Sequence, residues 1–116
     1  MGVGGVNPDS KEIQEYRKKH KDVTGADADS WASAVTYAGL EILGQAIERA
    51  GTKDKAAVVA EIKKAPFKTV IGEVNLADNI NHKVWTVGQW QNGSFNGVAS
   101  ADVAGAKAPV KKEAWK

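Results

Sequence analysis

The chain has 116 residues, of which 16 are basic and 14 acidic, so the formal net charge is +2. This charge is too small to indicate nucleic-acid binding, and 42% hydrophobic with 26% charged residues is the composition of a globular protein. The absence of cysteine excludes disulfides, thiolate metal sites and thiol catalysis. The sequence shows neither an apolar run of transmembrane length nor the features of a secretory signal peptide at its start.

The first part of the chain predicts one half-exposed helix between two irregular segments. Residues 1–9 are rich in glycine and lack periodicity, which predicts a flexible N-terminal segment. A helix is predicted over residues 10–20, with Asp9 as its N-cap and Glu12 reaching back as in a capping box. Residues 21–29 contain a glycine and three aspartates and predict a loop. The apolar stripe of the helix is thin: Ile13, Tyr16 and His20.

The strongest helical pattern covers residues 30–50 and has a wide apolar face, which predicts packing on more than one neighbour. Gly51 follows at the position of a left-handed C-cap. Thr52 is expected to cap a third helix, with Asp54 in its first turn and Pro66 as its end. The apolar positions of the long helix form two rows: Val35, Ala38, Ile42 and Ala46, and Leu40, Leu43 and Ile47.

The hydrophobic period changes after Pro66, which indicates extended structure. Short extended segments are predicted around Gly72, and residues 78–82 form a cluster of turn residues. Residues 83–91 then predict a strand. The apolar residues around the glycine are Val70, Ile71, Val74 and Leu76.

Asn92-Gly93 is the strongest turn signal in the chain and predicts a type I′ hairpin. In that register Trp90 lies opposite Phe95, a favourable aromatic pair. The tail, residues 101–116, is rich in alanine and lysine and is expected to be extended or frayed.

No pattern of residues indicates catalysis, a metal site or a cofactor. Asp22, Asp27 and Asp29 lack the glycine and the closing glutamate of a calcium loop, so capping and solvation explain them better. His20 and His82 lie on different predicted elements and have no metal-ligand spacing. Neither a Ser-His-Asp arrangement nor a G-x-S-x-G motif is present. We therefore expect a protein that is not an enzyme and has no cofactor.

Trp31 has two interpretations that the sequence leaves open. It lies in the first turn of the strongest predicted helix, directly after the acidic loop. It could be a packing residue that anchors the helix start, because tryptophan is usually largely buried. It could instead be the aromatic wall of a small-molecule pocket, with Ser33 beside it as a small polar group.

Residues 36–79 read TYAGLEILGQAIERAGTKDKAAVVAEIKKAPFKTVIGEVNLADN, and this run resembles the late portion of the type I periplasmic solute-binding proteins. These are the leucine/isoleucine/valine-binding proteins that serve ABC transporters. The later VGQWQNGSF is similar to the closing strands of that family, and AGAKAPVKKEAW is similar to its extended tail. The resemblance extends from Ile13 to Trp115.

This sequence differs from the family pattern in three respects. Its length is about one third of that of a typical member, so the chain resembles the C-terminal third of such proteins. A Gly-x-x-Pro-like loop is usual before the tyrosine helix, whereas residues 23–27 read VTGAD here. Residues 78–82 read DNINH in place of the more usual Asp-x-x-Gly-Asp.

The resemblance implies an α/β fold that is the C-terminal part of a two-lobed structure of the type I periplasmic-binding-protein kind. Two lobes joined by three crossovers would trap the ligand between them. The helical part, residues 10–78, would belong to lobe one, and residues 79–83 would form a hinge crossover. Residues 84–100 would form a β-hairpin of lobe two, followed by the extended tail.

The function that the resemblance implies is capture of a small solute by hinge closure and its delivery to the permease of an ABC transporter. The solute would be an amino acid or a related small organic molecule, and the location would be periplasmic or at the cell surface. The loop and first turn before the tyrosine helix face the cleft in this family. That places Trp31, Ala32 and Ser33 at the ligand.

Two alternatives remain open from the sequence. One is a ligand-sensing receptor or regulator of the same fold, and the other is a small structural or interaction domain. For the leading interpretation, we expect the apolar face of the long helix to pack against the remainder of a parent chain or against a second copy. We also expect the isolated chain not to bind a solute tightly, since a cleft ligand needs walls from both lobes.

Overall fold

The computed structural model describes residues 2–4, 8, 10–29, 31–82, 86–99 and 107–111. Within these residues the fold is α/β, as predicted, and no helix there has the length and apolar character needed to cross a membrane. The elements are, in chain order, β1 (Gly2–Gly4), α1 (Lys11–Thr24), α2 (Ala32–Ala50), α3 (Lys55–Lys64), β2 (Phe67–Thr69), β3 (Gly72–Val74), β4 (Thr86–Gln91) and β5 (Ser94–Ala99).

Helix α1 begins and ends at different residues from those predicted. Its N-cap is Ser10, whose hydroxyl accepts a hydrogen bond from the amide of Ile13 at 3.3 Å. The predicted cap, Asp9, lies outside the described residues. The helix continues one turn beyond the predicted end because Gly25, at φ +74°, provides a left-handed C-cap and donates its N–H to the Lys21 carbonyl at 2.9 Å. The start of the predicted loop is therefore helical.

The C-cap of α2 and the end of α3 are as predicted, but the N-cap of α3 is a different residue from the predicted one. Gly51, at φ +63°, donates its N–H to the carbonyls of the last turn of α2, so the predicted C-cap is confirmed. The N-cap of α3 is Asp54 and not Thr52, because the helix begins at Lys55 and Asp54 is the extended residue directly before it whose side chain bonds an amide of the first turn. Asp54 Oδ1 accepts from the Ala57 amide at 3.0 Å, while the Thr52 hydroxyl accepts from the Asp54 amide. Helix α3 ends before Pro66, as predicted.

We call residues 10–78 the helical unit, and two small apolar clusters hold it together. The first joins α1 to α2 through Ile13 and Ala34, both fully buried. The second joins α2, α3 and β2 through Ala46, Val58 and Phe67. Partly buried aliphatic side chains complete both clusters: Val70 and Ile71 in the first, and Ile42, Ile47 and Ile62 in the second.

Strands β2 and β3 form an antiparallel hairpin that packs against α2, with Phe67 opposite Val74. Val70 and Ile71 were expected in extended segments but lie in the turn between the strands. The Thr69 hydroxyl holds this turn by donating to the Gly72 carbonyl at 2.8 Å and accepting from the Ile71 amide at 3.2 Å. A side chain that satisfies both groups stabilises a tight turn even when the turn residues are β-branched.

Part of the apolar surface of α2 remains exposed in this structure. Leu40 is 63% exposed, and Val35 and Leu43 are also exposed. We call these three residues the α2 apolar face. Exposed apolar patches of this kind are typical of surfaces that pack against another layer or partner.

Strands β1, β4 and β5 form an antiparallel sheet in that order. The predicted β4–β5 hairpin is confirmed: Asn92 and Gly93 have φ of +52° and +78°, and Trp90 pairs with Phe95. The rings of this pair are 5.7 Å apart at 66°.

Strand β1 differs from the prediction of a flexible N-terminal segment. It pairs with β4, with Gly2 opposite Gly88. Ladder hydrogen bonds use backbone groups, so a strand edge can pair a glycine-rich segment that has no side-chain pattern of its own.

The chain therefore passes between the sheet and the helical unit twice. Residues 5–9 connect β1 to α1, and residues 75–85 connect β3 to β4. The family resemblance predicts one crossover in this chain, at residues 79–83. The radius of gyration is 16.7 Å, compared with about 13 Å for a compact domain of this length, so the molecule is elongated.

Residues 107–111 of the tail have no helix or strand but are bound to the hairpin. The side-chain amide of Gln89 donates to the Val110 carbonyl at 2.6 Å and accepts from the Val110 amide at 2.8 Å. Gln91 donates to the Ala108 carbonyl, and the Lys107 amide donates to the Gly97 carbonyl. This part of the predicted extended tail is thus fixed by side-chain amides on β4.

Candidate functional site

The three residues predicted to contact a ligand lie together at the start of α2. The carboxylate of Asp29 accepts hydrogen bonds from the amides of Trp31, Ala32 and Ser33, at 2.9, 2.8 and 3.3 Å. These donors, with the Trp31 amide first, hold the pKa of Asp29 below its usual value. Asp29 therefore orders the first turn of the helix.

The hydrogen-bonding groups of this turn are already used within the loop. The Ser33 hydroxyl donates to the Asp29 carbonyl, and the first three amides are bound by the Asp29 carboxylate. Trp31 is 48% exposed, and Ala32 is exposed beside it. The surface of the turn is therefore formed by these two residues, while its amides and the Ser33 hydroxyl are already hydrogen-bonded.

The packing of α2 near this turn bears on the two interpretations of Trp31. The contact that anchors the beginning of the helix to α1 is made by Ala34 against Ile13, both fully buried. A tryptophan that anchored the helix start would be expected to be largely buried. Half of the Trp31 surface is instead accessible in this structure.

The structure also shows a pocket that the sequence did not predict. A cavity of about 570 Å³ lies between α1, α2 and the β2–β3 hairpin, and we call it the α1–α2 pocket. Tyr16 and Tyr37 line it from the two helices, with ring centroids 5.2 Å apart. Trp31, Ala32 and Ser33 do not line it. One sequence signal could have indicated that these α1 residues share a face of the helix, namely their i, i+4, i+7 and i+11 spacing: Glu12, Tyr16, Lys19 and Val23.

The three aspartates around the loop each have a partner in the protein. Asp22 pairs with Lys18 at 2.6 Å, an interaction that raises the pKa of Lys18. Asp27 pairs with Lys21 at 3.0 Å, and this hydrogen bond lowers the pKa of Asp27. Asp29 caps the start of α2, as predicted, whereas Asp22 and Asp27 form ion pairs instead of being only solvated.

The two histidines lie in different surroundings. The Nδ1 atom of His20 is 3.1 Å from the Ala26 carbonyl oxygen, within the α1–α2 loop. The Nε2 atom of His82 is 2.6 Å from Asp78 Oδ2, a contact that lowers the pKa of Asp78. In the part of the chain that the structure describes, no three His, Cys, Asp or Glu side chains converge in the manner of a metal site.

Comparison with known families gives one match. The family described as periplasmic binding protein matches residues 3–94, which is 92 of the 116 residues. No curated protein matches the chain. The matched range includes helices α1, α2 and α3, the β2–β3 hairpin and strand β4, and it ends at the first residue of β5. It also includes the candidate residues at the start of α2. The chain belongs to the periplasmic binding protein family, whose members have a solute-binding role.

Proposed function

We propose that this chain is part of an extracytoplasmic protein that captures an amino acid or a related small organic molecule by hinge closure and delivers it to the permease of an ABC transporter. Membership in the periplasmic binding protein family supports the general role in solute binding. The proposed activity forms and breaks no covalent bond, and its location is periplasmic or at the cell surface. The resemblance to the leucine/isoleucine/valine-binding proteins supports an amino-acid-like solute.

The observation that carries the proposal is the half-exposed indole of Trp31 at the capped start of α2. Its backbone is fixed by Asp29, so the indole and the methyl group of Ala32 form a preorganised apolar surface. Such a surface suits the apolar part of a solute, for example a branched side chain. The charged groups of an amino acid would be bound by other segments, since Ser33 and the local amides are already engaged.

The connection between β3 and β4 supports the mechanism. Hinges are short loop segments that absorb changes in backbone angles while the bodies on either side move as units. The described part of this connection, residues 75–82, contains Asn79 at φ +68°. We propose that the two bodies belong to different lobes and that closure occurs at the crossover predicted at residues 79–83.

A titration followed by ¹⁵N–¹H NMR tests the proposal, because it detects binding even when affinity is in the millimolar range. The solutes are leucine, glutamate, glutamine and phenylacetate, added separately to the full chain. We expect saturable shifts of the Trp31 indole N–H and the amides of residues 31–33 with at least one of them. Shifts that are absent for all four, or that lie elsewhere in the chain, would contradict the proposal.

Trp31→Ala is the matched variant. We expect it to weaken binding of that solute at least about tenfold, equivalent to about 1.4 kcal/mol. We expect a stability loss well below the roughly 3–5 kcal/mol of a buried tryptophan. Trp90→Ala is the control, since Trp90 is 69% exposed on the β4–β5 hairpin and should leave binding unchanged. A large loss of stability in Trp31→Ala with unchanged intrinsic affinity would instead support the packing interpretation.

A further inference from the structure

We infer that one face of the β4–β5 hairpin is a binding site for an extended peptide segment with a basic residue, and that residues 107–111 of the tail occupy it as a displaceable ligand. We call the three side chains that hold this tail segment the amide face: Gln89, Gln91 and Asn96. Gln89 lies opposite Asn96 in the ladder, and side chains two residues apart on a strand point to the same side. All three therefore share one face of the sheet. The inference does not depend on the proposed function.

The side-chain amide of Gln89 binds the tail segment as a neighbouring strand would. It donates to the Val110 carbonyl at 2.6 Å and accepts from the Val110 N–H at 2.8 Å. Two bonds exchanged with one residue are the pattern of a hydrogen-bonded pair in an antiparallel sheet. A primary amide carries the same donor and acceptor as a peptide group. This contact therefore recognises backbone groups, which every residue except proline offers.

Gln91 fixes the orientation of the Gln89 amide and adds a second contact. Its Nε2 donates to Gln89 Oε1 at 3.0 Å, which sets that oxygen as the acceptor and leaves Gln89 Nε2 as the donor. Gln91 also donates to the Ala108 carbonyl at 3.1 Å. The bound tail residues are two positions apart, and so are the glutamines that bind them. This common spacing is the repeat of extended chains, so the amide face selects an extended peptide.

Two side chains of the tail segment indicate the sequence of a suitable peptide. Pro109 lies between the two bound residues, and proline suits this position because its fixed φ favours extended backbone and no N–H is needed there. The Lys107 ammonium donates to the side-chain oxygen of Asn96, which is 4% exposed. A basic residue three positions before the residue bound by Gln89 therefore reaches a buried acceptor. The resulting pattern is Lys-x-Pro-x.

The tail segment is bound without burial of its side chains, which makes it displaceable. Residues 107–111 are all exposed, and Val110 retains 59% of its surface. A segment held by hydrogen bonds has little apolar burial to lose on release. Its advantage over a peptide from another molecule is the high effective concentration of a segment in the same chain. Weakening the bonds of the tail should therefore open the amide face to a separate peptide.

The test is an NMR titration of the full chain carrying Val110→Pro with the synthetic peptide AKAPVKK, which repeats residues 106–112 and is blocked at both ends. The substitution removes the N–H that donates to Gln89 and leaves β4 and β5 unchanged. We expect saturable shifts of the side-chain NH₂ groups of Gln89 and Gln91. The affinity should be at least about tenfold higher than for the unmodified chain, in which the tail competes.

The peptide AKAPPKK is the matched control. It has the same charge as AKAPVKK but lacks the N–H that Gln89 accepts, so it should bind at least about tenfold more weakly. Equal binding of the two peptides, or shifts elsewhere in the chain, would overturn the inference. So would a lack of AKAPVKK binding to the Val110→Pro chain at peptide concentrations of about 10 mM.

Variants of the hairpin complete the test. Gln89→Leu keeps the approximate size but can neither donate nor accept, so in the Val110→Pro chain it should abolish binding of AKAPVKK. Trp90→Phe, on the opposite face of the same strand, should leave binding unchanged. In the otherwise unmodified chain, Gln89→Leu should accelerate exchange of the Lys107 amide, which donates to the Gly97 carbonyl, several-fold. Unchanged exchange there would show that Gln89 does not hold the tail and would refute the inference.

Discussion

The helical unit and the β1–β4–β5 sheet are stabilised in different ways. The helical unit depends on buried side chains, with Phe67 and Ile13 fully buried in two separate clusters. In the sheet, ladder hydrogen bonds and the side-chain amides of β4 carry the structure, and Trp90 remains exposed. The two regions therefore share few sources of stability, and each should respond to its own substitutions.

Burial within the helical unit is incomplete. The α2 apolar face is exposed although α2 already contacts α1, α3 and β2. Burial contributes about 25 cal/mol for each Å² of apolar surface removed from water. A partner layer on this face would therefore stabilise the helical unit much more than the sheet.

The largest effect is expected from Phe67→Ala. Phe67 is fully buried between α2 and α3, and the Arg49 guanidinium lies 4.2 Å from the centroid of its ring. Truncation should cost about 3–5 kcal/mol of stability. Hydrogen exchange followed by mass spectrometry should show faster exchange in α2 and α3, with little change in β4 and β5.

Hydrogen exchange of the unmodified chain is the reference for that experiment. We expect two blocks of protection separated near Ile80, which lies in the segment that connects β3 to β4. If Phe67→Ala accelerated exchange equally in the helices and the hairpin, the two regions would form one cooperative unit and the comparison would be wrong.

An intermediate effect, confined to the sheet, is expected from Gly88→Ala. A Cβ atom at this position would lie 2.3 Å from Cζ of Phe95 and 2.8 Å from the Asn96 carbonyl oxygen. The ring and the backbone would have to move, at a cost of about 1–3 kcal/mol. Exchange should increase in β4 and β5 while the helices remain protected.

Gly44→Ala is the matched control for that substitution. Apart from the surrounding backbone of α2 itself, no atom lies within 4 Å of a Cβ at Gly44, which is exposed on the helix. Alanine is favoured over glycine inside a helix by roughly 0.5–1 kcal/mol, so this variant should be more stable than the parent. Equal losses in both variants would point to a general intolerance of added methyl groups instead of a specific clash at Phe95.

The smallest effect is expected when the pH is lowered, and it is confined to the start of α2. The folded-state pKa of Asp29 is lowered, so its contribution is present above the usual carboxyl pKa and is lost as the pH falls through the folded value. Amide shifts of residues 31–33 should therefore change below about pH 4. Asp29→Asn should remove this titration while an amide oxygen still caps the turn. A transition centred above the usual value would contradict the assignment.

The structural features that could be predicted from the sequence are those that depend on a few neighbouring residues. Gly51 ends α2 and Asn92-Gly93 forms the hairpin turn because each conformation depends on the residue itself and its immediate neighbours. The Trp90–Phe95 register followed from that turn. These features required no knowledge of distant contacts.

The features that sequence reasoning missed depend on distant parts of the chain. Strand β1 forms because the edge of β4 is available, and nothing within Gly2–Gly4 indicates that partner. The α1–α2 pocket needs residues from two helices and a hairpin, so no single pattern reveals it. For the start of α2, the family resemblance predicts that Trp31, Ala32 and Ser33 contact a ligand, and this stays a prediction. Nothing in the sequence pattern indicated that Asp29 occupies their amides.

The pairing of β1 with β4 has a mechanical consequence. The ladder joins Gly2–Gly4 to Thr86–Gly88, so the stretch of chain that contains the helical unit is held to the same sheet at both of its ends. Movement of the helical unit relative to the sheet is therefore restrained at two points of the chain instead of one.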